Sequence, residues 1–501
     1  MTSNILIQVE KATVQYLGKA TFQQLNFTWE KGQHWAITAD SGLELTAFLE
    51  TLLGTTHLPD GHVVRPFSED YIRTKTEQGS VNSFRDLIAY VSQQYRFRNK
   101  SNLQNFYFQQ RFNSAESEQA ATVREYLEEN SPQIPGPWSL ERVAELLRLN
   151  TLLDSSILKL SNGETRRLAL ALGLLRQPKI FLMDQPMTGL DQESRAAFGD
   201  FLQAIIREEI HVLITTSSRE IPAGITHLAY LNSIGIGNTW TSEFFPEVHG
   251  GLAPPSWDWN LLKTFLPKNK ENKGPIVQLR DVTIQYGDKR ILNQLNWEIK
   301  DGERWLLKGP NGSGKSTLIS LLIGENPQAY SQHIVLFGRK RGSGESIWDV
   351  KRPIGFVAPE LTRFFPSNQT CRKVVLSGFF DTMGLFKKTT PDQESKADQW
   401  LGLFQLEEVK DQPISRLSLG QQRWTLLARA LIKAPSLLIL DEASQGLDDL
   451  QRALFKLTIE KICESTSMAI VFVSHYASDI PEQVSKTLDL GILKTEKSPN
   501  Q

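Results

Sequence analysis

Nine consecutive residues have the types and spacing of a phosphate cradle: Gly309, Pro310, Asn311, Gly312, Ser313, Gly314, Lys315, Ser316 and Thr317. They fit GxxxxGK[ST] between a strand-like apolar run at 305–308 and a helical pattern at 316–323. Glycines let the backbone wrap close to a triphosphate, so that successive N–H groups point at its oxygens. The helix start adds its positive end. Lys315 then reaches the β- and γ-phosphates, and the Ser316 hydroxyl ligates Mg²⁺. The competing reading, a glycine-rich turn, is disfavoured by the carboxylates and the histidine further along the chain.

Leu-Leu-Ile-Leu-Asp-Glu ends an apolar run on two carboxylates. Asp441 can hold the Mg²⁺ shell through water, and Glu442 can orient and deprotonate an attacking water. His475 comes after a second apolar run, 469–473, in position to contact the γ-phosphate. A loop-start carboxylate pair and a structural histidine are the alternatives. Both lose weight beside a phosphate cradle.

The elements that must position these groups occur twice. Ile7–Tyr16 recurs as Val277–Tyr286, and the segment from Gly32 recurs from Gly302, both 270 residues on. Later, LSNGETRRLALALGLLRQPKIFLMDQ is matched by LSLGQQRWTLLARALIKAPSLLILDE, with Asp184 recurring 257 residues on as Asp441. The chain is therefore a tandem duplication. Short apolar runs alternating with helical patterns predict an α/β sheet in each half. We expect an N-terminal domain over 1–248, a linker over 249–273 and a C-terminal domain over 274–501. Within the linker, the aromatic piece SWDWNLL has the look of a packed segment, on one half or the other.

Ser161 and Ser418 can each N-cap the next helix, and Ser161 with Glu164 forms the S-x-x-E pattern of a capping box. Capping does not explain the same Ser-x-Gly before a buried run and an Asp in both halves. That combination resembles the nucleotide-binding domains of the ATP-binding-cassette (ABC) family. The resemblance implies two tandem P-loop ATPase domains, each with a mixed-sheet core and a helical signature subdomain. It also implies ATP and Mg²⁺ as ligands and pairing of the two halves within one chain. Each ATP would lie between one half's P-loop and the other half's signature, so Ser161, Gly163 and Glu164 would serve the ATP that Lys315 holds. Tyr286 matches the aromatic that stacks on adenine in the family, with a core tyrosine as the competing reading. Glu360 stands where the family carries a glutamine, and its oxygen can still ligate Mg²⁺.

The first half departs from the pattern. Ala39, Glu44 and Leu45 stand opposite Gly309, Gly314 and Lys315. A carboxylate about 4 Å from a triphosphate costs roughly 4 kcal/mol at an effective dielectric of 20. Gln185 replaces the general base, and Thr216 is aligned with the histidine. Tyr16 and Thr46 survive. One complete ATP-hydrolysing site is expected.

Composition narrows the partners. Lys and Arg number 55 against 56 Asp and Glu, a net charge of −1, so no DNA partner is expected. Cys371 and Cys463 stand alone, which weighs against a disulfide framework, structural zinc or an iron–sulfur cluster. No apolar run approaches the ~18 residues that span a bilayer, and the N-terminus carries no export pattern. A cytoplasmic protein is expected, peripheral to the inner face of the membrane if it serves a permease. The organisation is similar to the tandem cassettes of the molybdenum-transport type, which implies a separate membrane permease as partner. A ribosome-acting ATPase or a regulatory ATP switch is the alternative; the former's relatives carry a long basic linker that this chain lacks.

Overall fold

The computed structural model describes residues 4–16, 19–39, 42–92, 121–131, 134–157, 160, 162–187, 192–216, 221–245, 257–266, 274–287, 289–310, 312–447, 449–474 and 477–491. The chain divides into two compact units, and the described residues up to 245 and from 257 belong to the first and second respectively.

In the first unit an antiparallel sheet carries strands in the order Lys19–Glu30, Ile5–Tyr16, His57–Val64. A second sheet runs Ile88–Val91, Ile180–Asp184, His211–Thr215, Trp35–Ala39, His227–Leu231, Ile236–Thr241. Its strands are parallel except the last. The run IFLMD is buried at every position, as continuous apolar strands covered on both faces must be. Helices Val123–Asn130, Leu140–Leu146 and Asn162–Leu174 share one core with a face of this sheet. The other face packs on the antiparallel sheet and the helix Gly42–Leu53.

The second unit repeats the plan. Its antiparallel sheet runs Lys289–Lys300, Pro275–Tyr286, His333–Leu336, Arg339–Lys340. Its parallel sheet runs Ile354–Val357, Leu437–Asp441, Ala469–Val473, Arg304–Lys308, Lys486–Asp489. Helices Cys371–Ser377, Pro391–Leu403 and Leu419–Leu431 cover one face. The α/β tandem and both helical signature subdomains expected from the sequence are present.

The linker expected over 249–273 is only partly a connector. Asp258 caps a helix at Trp259–Phe265, its side chain accepting from the Asn260 N–H. Trp257, Leu262 and Leu266 are buried in the second unit's core. The Trp257 ring lies edge-on to Trp424 at 4.5 Å and 5.0 Å from Phe404, so the aromatic piece belongs to the second half.

Candidate functional site

The strand Arg304–Lys308 delivers the chain into the glycine loop, and the helix Lys315–Leu322 takes it away. Three glycines supply the turn: Gly309, Gly312 and Gly314 have φ of 146°, 76° and 109°, a region that side chains rarely tolerate. A Cβ on Gly309 would collide with the Ser313 hydroxyl. The Ser313 Oγ is buried and makes no hydrogen bond among the described residues. Lys315 Nζ donates to the carbonyls of Gly309 and Pro310 at 2.6 and 3.2 Å, folding over its own loop. These features fit a phosphate chain laid along the loop. Ser316, in the first helical turn, is half-buried.

Asp441 ends its strand in register with Val473. Glu442 comes next in a left-handed conformation, φ 48°, with its N–H donating to the Val473 carbonyl at 3.0 Å. This turn leaves the sheet at the carboxyl ends of the parallel strands, the edge where α/β sheets hold ligands. One hydroxyl (Ser316) and one carboxylate (Asp441) are the sparse oxygen set Mg²⁺ takes when phosphates complete its shell. Glu360 stands at the start of the turn Pro359–Phe364, after the strand that pairs with Leu437–Asp441. Tyr286 is half-buried and its hydroxyl accepts from Asn326 Nδ2 at 2.9 Å. Asn311, Ser161 and His475 lie outside the described residues.

The signature helix of the second unit has the cap its sequence calls for. Ser418 accepts from the Gln421 N–H while the Gln421 side chain accepts from the Ser418 N–H. In the first unit Gly163 and Glu164 sit in the opening turn of Asn162–Leu174.

The first unit's counterpart of the P-loop is a different object. Its helix starts at Gly42, three residues before the Lys315 equivalent, so the loop has become a helical turn. Leu45 is 3% exposed and belongs to the core. Glu44 lies in the first helical turn, where a negative charge is favoured by the positive helix end. Thr46 donates to Asp184 Oδ2 at 2.9 Å and Thr215 to Asp184 Oδ1 at 2.7 Å. A carboxylate that would face a metal shell is thus held by two protein hydroxyls.

One alignment needs correction. Asp184 pairs with Thr215 where Asp441 pairs with Val473, so Thr216 matches Ser474. The counterpart of His475 is then Ser217, outside the described residues. The connection between these strands is one residue longer in the second unit, so only the strand register fixes the match. The site still carries no histidine at that position.

Sequence reasoning also missed an arginine. Arg423, 4% exposed, donates through Nε and Nη2 to the Gln445 carbonyl at 3.3 and 3.2 Å and through Nη1 to that of Pro359 at 3.4 Å. Arg166 also bridges two carbonyls in the first unit, Ser92 O at 2.6 Å and Gln185 O at 3.0 Å, which by register match Ala358 and Glu442 rather than Pro359 and Gln445. The signal was available: both arginines stand three residues after the signature glycine.

The fold and the glycine cradle define a P-loop ATPase, with the cradle in the second unit and an altered sequence at the matching place in the first. A family model described as ABC transporter matches residues 22–188 and 292–445. The chain is 32% identical over 496 residues to the ABC transporter ATP-binding protein ModF of Escherichia coli (strain K12), covering 96% of each. It is 30% identical over 484 residues to the ABC transporter ATP-binding protein C323.04 of Schizosaccharomyces pombe, covering 93% of each. A crystal structure of the complex of archaeal ribosomal stalk protein aP1 and archaeal ribosome recycling factor aABCE1 shares the fold at a TM-score of 0.52 and 18% identity, covering 96% of this chain and 87% of that one. The chain belongs to the ABC transporter family: it is an ATPase with two fused cassettes. No described helix is long and apolar enough to cross a membrane.

Proposed function

We propose that this ATPase energises a separate membrane permease, docked at the inner face of the membrane, and works through a single ATP site. The observation that carries the single site is the contrast between the open glycine loop at 309–314 and the helical turn from Gly42. In the working half, backbone N–H groups and Lys315 bind the phosphates, and Ser316, Asp441 and Glu360 hold Mg²⁺. Mg²⁺, when bound, neutralises charge on the phosphate oxygens. Glu442 takes the proton from the attacking water, and His475 contacts the γ-phosphate. Tyr286 stacks on adenine.

Transport is supported by the long match to a protein named as an ABC transporter ATP-binding protein and by the molybdenum-type organisation of the sequence. A molybdate-type system is the corresponding solute class. The test is a pull-down from membranes with Glu442→Gln protein held in ATP. Recovery of a permease is expected; recovery of ribosomes, or of no membrane protein at all, would count against transport. On the family pattern alone, Ser161, Gly163 and Glu164 serve the same ATP. Ser161→Arg should then stop turnover while Ser418→Arg spares most of it, and the reverse outcome sinks that assignment.

A further inference from the structure

The geometry points to Arg423 as a positioning residue for the general base, acting through the backbone of the turn that carries Glu442. The guanidinium is buried, and a buried cation is costly unless its donors are matched. Here they are matched by main-chain carbonyls on two separate segments. One is Pro359, the residue before Glu360; the other is Gln445. The Gln445 N–H in turn donates to the Glu442 carbonyl at 2.9 Å. A short chain therefore runs from the signature helix through Arg423 and Gln445 to Glu442.

That turn needs holding. Glu442 sits at φ 48°, a conformation that costs a non-glycine residue energy unless its surroundings impose it. Three contacts impose it: the Val473 carbonyl on the Glu442 N–H, Arg423 on Gln445, and a hydrogen bond from the Ser444 hydroxyl to Asp479 Oδ2 at 2.5 Å. Arg423 alone among these also grips the segment bearing Glu360, so it fixes the base relative to the metal-side carboxylate. Its planar fork spans two carbonyls at once; a lysine ammonium is a point charge and cannot reproduce the span.

The first half supplies the control. Arg166, at the matching helix position, bridges the carbonyls of Ser92 and of Gln185 itself, and Gln185 is an amide that cannot act as a base. The inference rests on Glu442 being the base of the working site, so the experiment includes Glu442→Gln. With full-length protein, ATP turnover and melting temperature are measured for Arg423→Lys, Arg166→Lys and Glu442→Gln. Arg423→Lys is expected to lower kcat at least tenfold with KM for ATP within threefold and melting within a few degrees of the parent. Its fall in kcat should exceed that of Arg166→Lys at least fivefold. If Glu442→Gln still turns over, the reading of the site fails. If Glu442→Gln is inactive but Arg423→Lys keeps the parent kcat, or loses activity only in proportion to lost folded protein, the positioning role is overturned.

Discussion

The helices Lys315–Leu322 and Gly42–Leu53 hold the same station in two copies of one fold, yet one opens on a glycine loop and the other on a helical turn. Three changes account for the difference. Ala39 carries a Cβ where Gly309 has no room for one, since a Cβ there would meet Ser313. Glu44 replaces Gly314 and puts a negative charge in the first helical turn, where a second anion would be repelled. Leu45 replaces Lys315 and joins the core. In the first unit the Thr46 hydroxyl donates to Asp184 Oδ2, the counterpart of the Asp441 carboxylate. What both units share is the frame around it: five parallel strands in the same order, the helical subdomain and an arginine three residues after the signature glycine.

The sharpest way to break this comparison is to exchange the base. Glu442→Gln is expected to lower turnover by roughly 10²- to 10⁴-fold, the usual reach of general-base catalysis, while ATP still binds. Gln185→Glu should add no measurable turnover, because the first loop has no phosphate cradle. A gain of rate from Gln185→Glu would show that the first site is open after all.

Leu45 sharpens the contrast at the level of stability. Truncating a fully packed leucine costs about 2–5 kcal/mol, so Leu45→Ala should lower the melting temperature without changing ATP affinity. If ATP affinity falls and stability does not, Leu45 is a ligand contact rather than core.

A smaller difference lies at the far end of the strands. His34, His211 and His227 gather in the first unit, where the second has Arg304, Ala469 and Lys486 by strand register. His34 Nδ1 accepts from the Val212 N–H, and its ring stacks on His211 at 6.1 Å. Burial first, then the charges of His211 and His227, lowers His34 to about 4 from an ordinary 6.5. Burial also lowers His211, with Lys31 adding to the shift and the Lys179 carbonyl and Glu209 opposing it; it lowers His227 against Glu30. A base with a depressed folded value stabilises the fold in its neutral form. Its contribution is complete above pH 6.5 and disappears as the pH falls towards 4, on the order of 3 kcal/mol for His34. Hydrogen exchange at pH 7.5 and 5 should show protection falling faster in the first unit. Equal loss in both would refute the assignment.

Much of this was legible in the sequence, because P-loop, carboxylate pair and signature are patterns along one strand–turn–helix at a time. The duplication exposed the first half's losses position by position. What the sequence withheld depends on distant partners. Trp257 meets Phe404 and Trp424 only after the second unit has folded, so the sequence left open which half its segment packs on. The match of Thr216 to His475 failed because only strand pairing fixes the register beyond a connection whose length differs between the units. Arg423 was overlooked because a signature arginine reads as a solvated helix face until its carbonyl partners come into view.

On the proposed function, one half holds ATP and the other does not. Titration calorimetry of the full chain with ATP and Mg²⁺, on the Glu442→Gln background to prevent turnover, tests this division without intermediaries. One ATP per chain is expected, with Lys315→Ala weakening that site about 10- to 100-fold, the loss of one or two charged hydrogen bonds. Two ATP per chain of comparable affinity, or one site that survives Lys315→Ala unchanged, would contradict it.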